Sequence, residues 1–208
     1  MAGFLTEFVG TFFLTLTVGL VVVTGLPAGP IAIGSVLMAL VYMGWHVSGA
    51  QYNPAVTLAL VVRGDCPAPR AVGFIGAQLL GAAAAAFAVA HISGWTFALS
   101  PGVDTGAGTA LVIEVLFTFL LMIVIFNVAV TPRTAGNSFY GLAIGFTITG
   151  AAFAGGPLSG GAFNPAVGIM PGLVEWVIAG RTEVPFWLYL VGPLIGAFLA
   201  CLLYTSDA

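Results

Sequence analysis

A short stretch of sequence occurs twice in this chain, and any fold must accommodate both copies. Residues 48–56 read SGAQYNPAV, and residues 159–167 read SGGAFNPAV. In each copy an Asn, among the best N-cap residues, precedes a Pro, which is favoured at the first helical position. Each copy therefore predicts an irregular segment that ends in a capped helix start. Such a start carries partial positive charge and free N–H donors, which need a structural explanation in an apolar chain.

The composition places the chain in a lipid bilayer. Of its 208 residues 60% are hydrophobic and 5% are charged, whereas a soluble domain has about 25% charged residues. The net charge of −3 provides no basic patch for nucleic acid. Cys66 and Cys201 have no metal-ligand or disulfide spacing, so no metal or cofactor is expected. An enzyme such as an intramembrane hydrolase would need a nucleophile with a base, and the two His and two Cys are unpaired in sequence.

Hydropathy and turn residues divide the chain into full spans and two shorter apolar runs. A full span needs about 20 residues, so the run 54–62 after the first Asn-Pro is too short to cross a bilayer. A similar half-length run follows the second Asn-Pro. Full spans are predicted at 3–24, 31–47, 71–91, 109–131, 138–154 and 185–203. Loops are predicted at 25–30, 63–70, 93–108, 132–137 and 175–183.

The order span, span, half-span, span occurs twice, which predicts an internal repeat. The first repeat covers about residues 1–92 and the second about 109–205, and Glu7 in the first span recurs as Glu114 in the fourth. An odd number of full spans per half puts the repeats in opposite orientation. The two half-helices then meet near the midplane. Irregular backbone at that depth is tolerated only where it is buried or lines a water-filled cavity, so the sequence predicts a pore.

Few charges define the orientation in the membrane. Arg63, Arg70 and Arg133 fall in loops on one side, and Arg181 falls among acidic residues on the other. Because cytoplasmic loops carry an excess of Lys and Arg, both termini are predicted to lie in the cytoplasm.

At these motifs the chain resembles the aquaporins, also called major intrinsic proteins, over nearly its whole length. Two Asn-Pro-Ala stretches, each after a Ser-Gly pair, in matching halves of a six-span chain are a specific signature. The resemblance implies one all-α membrane domain over residues 1–208, with six transmembrane helices and two re-entrant half-helices. It also implies a passive channel in the cell membrane, usually a homotetramer with one pore per subunit. The implied pore motifs are Asn53, Pro54, Ala55, Asn164, Pro165 and Ala166.

The resemblance also implies roles for residues around the pore. Asn53 and Asn164 would cap their half-helices and turn their NH₂ groups into the pore as donors, and the opposed helix dipoles would disfavour cations and protons. Glu7 and Glu114 would brace the two loops by accepting backbone N–H bonds. A carboxylate inside a membrane is also a candidate proton relay or substrate ligand. The ladder of acceptor carbonyls would consist of Gly49, Ala50, Gln51, Gly160, Gly161 and Ala162.

The sequence departs from the family at the positions that select the solute. Most members have Arg after the second Asn-Pro-Ala, where this chain has Val167. The other filter positions are Ile33, Ala152 and Gly161, which match neither the Phe and His of water-selective members nor the aromatic residues of glycerol facilitators. Gln51 replaces the usual His two residues before the first Asn. These residues predict a wide, apolar outer filter without fixed charge.

Such a filter predicts a broad range of neutral solutes. Apolar walls reject small neutral solutes poorly, so the chain is expected to pass water together with glycerol, urea or metalloid hydroxides. A strictly water-selective channel is one alternative, for which Phe153 beside Ala152 would have to turn into the filter. A structural membrane protein with a closed pore is another.

The last eight residues, 201–208, resemble the in-frame translation of a transposon adapter used in shotgun sequencing. The natural chain is then expected to continue differently after Ala200, and residues 201–208 receive no functional weight. The alternative is a natural span end followed by a polar tail.

Overall fold

The computed structural model describes residues 1–181 and 183–204, and every regular element in this part of the chain is a helix. Six helices are long and apolar enough to span a membrane, and two are shorter. The predicted all-α fold of six spans and two half-helices is therefore confirmed. In chain order the helices are α1 (Ala2–Thr24), α2 (Gly29–Ser48), the short α3 (Pro54–Arg63), α4 (Ala68–Ser93), α5 (Ala107–Ile125), α6 (Tyr140–Ser159), the short α7 (Pro165–Ala179) and α8 (Phe186–Leu203).

Both ends of the long apolar segments follow the prediction to within about one helical turn, the usual uncertainty of helix ends, except in two places considered below. A π-helical turn, Phe126–Val130, extends α5 to the length predicted for the fourth span. In the C-terminal segment 201–208, α8 continues to Leu203 and Cys201 is buried, whereas 205–208 lie outside the described residues.

The helices pack in the same way in both halves of the chain. α1 packs against α2 and α4, and α5 packs against α6 and α8. Each short helix contacts the last span of the other half, α3 with α8 and α7 with α4. α2 contacts α6, and α3 contacts α7. The contacts of the first half are thus repeated in the second half. The contact between α3 and α7 brings the two Asn-Pro starts together.

Apolar side chains cover the outside of the bundle, and polar side chains lie inside. Val72 and Leu80 on α4 are 74% and 65% exposed. Glu7, Gln78 and Glu114 are fully buried. In water this distribution would be unfavourable on both counts, but in a bilayer it places apolar atoms against lipid and satisfies polar groups within the protein.

Close helix crossings depend on glycine. A Cβ atom on Gly81 of α4 would meet the backbone oxygen of Phe8 on α1, and the equivalent crossing of α8 on α5 places Gly196 against the backbone of Val115. Small residues at helix interfaces let backbones approach closely in lipid, where no hydrophobic effect drives association. The two crossings therefore fix the position of α1 and α5, which carry the buried glutamates.

Gly81→Ala is expected to destabilise the protein, because the new methyl group would push α4 away from the α1 backbone. Overpacking of this kind costs about 1–3 kcal/mol in the free energy of unfolding. Gly76→Ala on the same helix is the matched control, since a Cβ there has no neighbour within 4 Å; Ala should then stabilise the helix by up to about 1 kcal/mol. Unfolding in mixed detergent micelles measures both, and equal shifts would contradict this account of the crossing.

The loop predicted at 175–183 is wrong, because α7 continues to Ala179 and ends at Gly180 with a left-handed φ of 65°. Glu175, the first residue of the predicted loop, has tertiary partners. Glu175 accepts a hydrogen bond from Thr96 Oγ1 at 3.1 Å, and its Oε1 lies 3.7 Å from Nη2 of Arg181. These contacts with the α4–α5 connection and the following loop stabilise the extra turns of α7.

The end predicted for the fifth span, residue 154, is wrong. The helix α6 continues through the Gly-Gly-Pro segment 155–157 to Ser159. Gly and Pro are strong signals for a helix end, but tertiary contacts override them here. The α4–α5 connection packs on this last turn, where Gly102 N donates to Leu158 O at 3.0 Å. With this additional turn, α6 ends at Ser159, the first residue of the second repeated stretch, so the helix leads directly into that stretch.

Candidate functional site

A cavity of about 490 Å³ runs between the two halves. It reaches from Pro30, at the start of α2, to Arg70, at the start of α4, near opposite ends of the bundle. The predicted site residues that line it are Ile33, Gly49, Ala50, Gln51, Asn53, Ala152, Gly160, Gly161, Ala162, Asn164 and Val167. The Pro-Ala pairs of the two motifs and the two glutamates are not in this lining; they are buried behind it.

The two motif asparagines are the N-caps of the short helices, as predicted. Asn53 Oδ1 accepts from Ala55 N at 2.9 Å, and Asn164 Oδ1 accepts from Ala166 N at 3.0 Å. Because each oxygen is used by its own helix, the orientation of each side-chain amide is fixed.

The NH₂ groups of the same asparagines join the two halves. Asn53 Nδ2 donates to Phe163 O and Asn164 Nδ2 donates to Tyr52 O, both at 2.9 Å. An NH₂ group has two hydrogens, so each asparagine retains one donor after this bond. Both side chains lie on the cavity wall, which makes the pair a double donor at its centre.

The stretches before the asparagines have an unusual backbone that is repeated in both halves. Ala50 and Tyr52 have φ of 47° and 50°, and their counterparts Gly161 and Phe163 have φ of 67° and 48°. Non-Gly residues in this left-handed region cost of order 1 kcal/mol or more each, so the surrounding structure must hold them.

This backbone leaves a series of carbonyl groups without partners in the described part of the chain. Among the described residues no hydrogen bond is donated to the carbonyls of Gly49, Ala50, Gln51, Gly160, Gly161 and Ala162. All six residues line the cavity. Carbonyls inside a protein are nearly always hydrogen-bonded. Since these six have no partner among the described residues, they are free to accept hydrogen bonds from whatever occupies the cavity.

Glu7 accepts four hydrogen bonds, three of them from the first stretch and one from Gln78 on α4. Its Oε1 accepts from Ser48 Oγ at 2.6 Å and Gln51 N at 3.0 Å. Its Oε2 accepts from Tyr52 N at 2.7 Å and Gln78 Nε2 at 2.8 Å. These bonds occupy both oxygens of the carboxylate, which is not part of the cavity lining.

Glu114 does the same for the second stretch. It accepts from Ser159 Oγ at 2.8 Å, Ala162 N at 3.0 Å and Phe163 N at 2.7 Å. Neither glutamate is part of the cavity lining, and both are fully buried. This is the geometry that a bracing role requires, and it leaves no access for a solute as ligand.

Several supporting residues were missed in the sequence. Gln78 Nε2 also donates to Thr57 Oγ1 at 2.9 Å, and Tyr189 OH donates to Ser159 O at 2.7 Å. Ser48 and Ser159 are shared members of the repeat, but the repeat alone does not indicate their role. Gln78 had one signal, a lone amide in an Ala-rich span, whereas nothing local marked Tyr189.

One end of the cavity is aliphatic. The four predicted filter residues, Ile33, Ala152, Gly161 and Val167, line it there together with Leu99, which sequence reasoning missed. Leu99 lies in the α4–α5 connection, far in sequence from the repeated motifs. Phe153 is not in the lining and is 48% exposed, so it does not enter this end of the cavity.

The other end of the cavity carries its charged side chains. Asp65 and Arg70 line it there with Cys66. Arg63 fixes this end, since its Nε pairs with Asp65 Oδ2 at 3.0 Å and its guanidinium lies 4.4 Å from the ring centroid of Phe126. The two ends of the cavity therefore differ in polarity.

Asn53→Ser and Asn53→Ala separate the two roles of this residue. Ser is about as good an N-cap as Asn but has no NH₂, whereas Ala has neither, so Asn53→Ala should be less stable than Asn53→Ser by about 1 kcal/mol. Both variants should lower water permeability alike. Unfolding in mixed micelles and osmotic shrinkage of proteoliposomes measure the two effects. Equal stabilities would contradict the capping role, and full water flow in Asn53→Ser would contradict the donor role.

Six spans surround a cavity, and two half-helices begin at its wall. The buried carboxylates are occupied by hydrogen bonds from the protein. These features define a passive membrane channel. Residues 1–204 match the family model of the major intrinsic proteins, and the chain belongs to this family.

Relatives and a solved structure agree with this assignment. The chain is 35% identical over 212 residues to a probable aquaporin, NIP4-2 of Arabidopsis thaliana, covering 96% of this chain and 72% of the relative. It is 39% identical over 203 residues to aquaporin NIP1-4 of Oryza sativa subsp. japonica, covering 93% and 72%. The aquaglyceroporin from Plasmodium falciparum has the same fold, with a TM-score of 0.87 at 23% identity over 99% of this chain and 96% of that one. The protein is thus a multi-pass membrane channel for water and small solutes, and not an enzyme.

Proposed function

We propose that the chain passes water together with small uncharged solutes, namely glycerol, urea and metalloid hydroxides. The observation that carries this proposal is the aliphatic end of the cavity, which Ile33, Ala152 and Val167 line. None of the described residues contributes a charged side chain to this end. A wall of this kind gains little by rejecting a neutral molecule that fits, because one methylene changes such discrimination by only about 1–3 kcal/mol.

In the proposed mechanism a solute exchanges its water shell for groups on the wall. The free carbonyls of the two stretches accept its hydrogens, and the spare hydrogens of Asn53 and Asn164 bond its oxygen at the centre. Two helix N-termini point at that centre, and their partial positive charge disfavours cations and protons. The glutamates keep the carbonyls in place and take no part in the passage.

The proposal also includes the orientation of the chain in the membrane and its oligomeric state. Both termini are proposed to lie in the cytoplasm, because Arg63, Arg70 and Arg133 fall in loops predicted on one side. The cell membrane is proposed from the resemblance to the family. Four copies are proposed to assemble into a homotetramer, as is usual in the family, and the cavity within each chain would then be its own pore. No nucleic acid or cofactor takes part.

Stopped-flow light scattering on reconstituted vesicles tests the solute range. Vesicles with the protein are mixed with water, glycerol and urea gradients and compared with empty vesicles. Fast flow of water with glycerol or urea supports the proposal. Fast water flow alone would establish a strictly water-selective channel. No flow above empty vesicles, from protein that is folded and correctly assembled, would establish a closed, structural protein.

A further inference from the structure

Arg70 places a positive charge on the cavity wall that no contact within the described chain explains. It lines the charged end of the cavity and is exposed. No described residue forms a hydrogen bond or an ion pair with its side chain. It also lies in the first turn of α4, where the positive end of the helix dipole disfavours a cation. Neither packing nor helix stability therefore accounts for a positive charge at this position.

The net charge at this end of the cavity is positive. Among the described residues, the other charged side chain in the lining is Asp65, and its carboxylate is paired with Arg63 at 3.0 Å. Arg63, Asp65 and Arg70 together carry one positive charge. An unpaired charge at the entrance of a cleft repels ions of its own sign, whereas it has little effect on a neutral solute.

The wall just inside this entrance would by itself favour cations. α2 starts at the aliphatic end, so the stretch that follows Ser48 lies between the charged end and Asn53 at the centre. The carbonyls of Gly49, Ala50 and Gln51 in this stretch accept no hydrogen bond from the described residues. Carbonyls that line a pore can replace the water shell of a cation. A cation held there would block water flow without ever reaching the positive centre between the half-helices.

The opposite end of the cavity has no such charge. Its lining is aliphatic, and a second pocket of about 540 Å³ lies beside it and shares Val22 with the cavity. The charged residues that line this second pocket are Glu175, Arg181 and Glu183, which carry a net charge of −1. The two entrances therefore differ in the sign of the charge that an approaching ion meets.

We propose that Arg70 excludes monovalent cations from its entrance and so keeps the free carbonyls of the first stretch available to water and neutral solutes. Arg70 is then a specificity-determining residue at the end of the cavity opposite the aliphatic filter. The proposal requires a channel that passes water, and it does not depend on the wider solute range proposed above.

Block of water flow by methylammonium, a small monovalent cation, tests this role. Membrane vesicles of both orientations expose one end of the cavity at a time to the probe, and a sucrose gradient drives the flow. N-methylglucamine keeps the ionic strength at about 0.1 M, where charges are screened beyond about 10 Å. On the Arg70 side, Arg70→Gln should lower the half-blocking concentration about threefold and Arg70→Glu about tenfold. These are the effects of one and two unit charges about 4 Å away in water at this ionic strength.

Arg133→Glu is the matched control, because Arg133 is exposed, is predicted on the same side of the membrane and is not part of the cavity lining. Each flow is divided by that of the same variant without methylammonium, so the amount of folded channel does not affect the result. Lower half-blocking concentrations for both Arg70 variants, on one side only, support the proposal. An equal change in Arg133→Glu, the same change on both sides, or no block in any of the proteins overturns it.

Discussion

Glu7→Ala is expected to lower the free energy of unfolding by about 4 kcal/mol or more, since four donors lose their shared acceptor inside the protein and each orphaned donor costs about 1–3 kcal/mol. The left-handed residues Ala50 and Tyr52 would then have nothing to hold them. Water permeability should fall to that of empty vesicles. Unfolding in mixed micelles and stopped-flow light scattering measure the two effects.

Thr11→Ala is the matched control for this experiment. Thr11 lies on the same helix and is fully buried, and its Oγ1 has no hydrogen-bond partner among the described residues, so its loss should cost far less. Glu114→Ala should destabilise somewhat less than Glu7→Ala, because its carboxylate has three partners and not four. A Glu7→Ala protein with wild-type stability and normal flow would rule out the bracing role.

Val167→Arg is expected to narrow the range of solutes. Val167 is 3% exposed and lines the aliphatic end of the cavity. An Arg there adds bulk, five donors and a fixed charge in a confined space. Glycerol and urea permeability should fall by about tenfold or more, within the range by which pocket contacts discriminate small solutes. Water, being smaller, should lose much less, and stopped-flow measurements of all three solutes give the comparison.

Val167→Leu separates charge and hydrogen bonding from volume. The Leu variant enlarges the side chain by one methylene without adding a donor or a charge. It should reduce glycerol flow only slightly and leave the ratio of urea to water close to that of the wild type. If Leu and Arg narrow the range equally, the effect of the missing Arg is steric alone, and the argument from an uncharged filter fails.

Local signals in the sequence predicted the helix caps and the two buried carboxylates. The Asn-Pro pairs are local signals, and the structure has both caps where the pattern placed them. The recurrence of Glu7 as Glu114 singled out two buried carboxylates that do contact the repeated stretches. Each of these residues could be recognised because it recurs at the equivalent position of the other repeat.

The remainder depends on contacts between distant parts of the chain. Gln78 and Leu99 have no counterpart that repeats, and their positions follow from how α4 and its connection pack. The two errors in helix length have the same origin. Glu175 and the segment 155–157 look like helix ends locally, but contacts with the α4–α5 connection continue both helices.

The crossed bonds between the asparagines and the opposite stretches have a consequence for biogenesis. Asn53 and Phe163 are 110 residues apart, and Asn164 and Tyr52 are 112 apart. When the ribosome has delivered the first half, Glu7, Ser48 and Gln78 are already present to hold its loop, but the NH₂ of Asn53 has no carbonyl to meet. Long-range pairings of this kind form late, because chain closure precedes any gain from them. The channel is therefore completed by the second half-helix, and neither half is expected to conduct by itself.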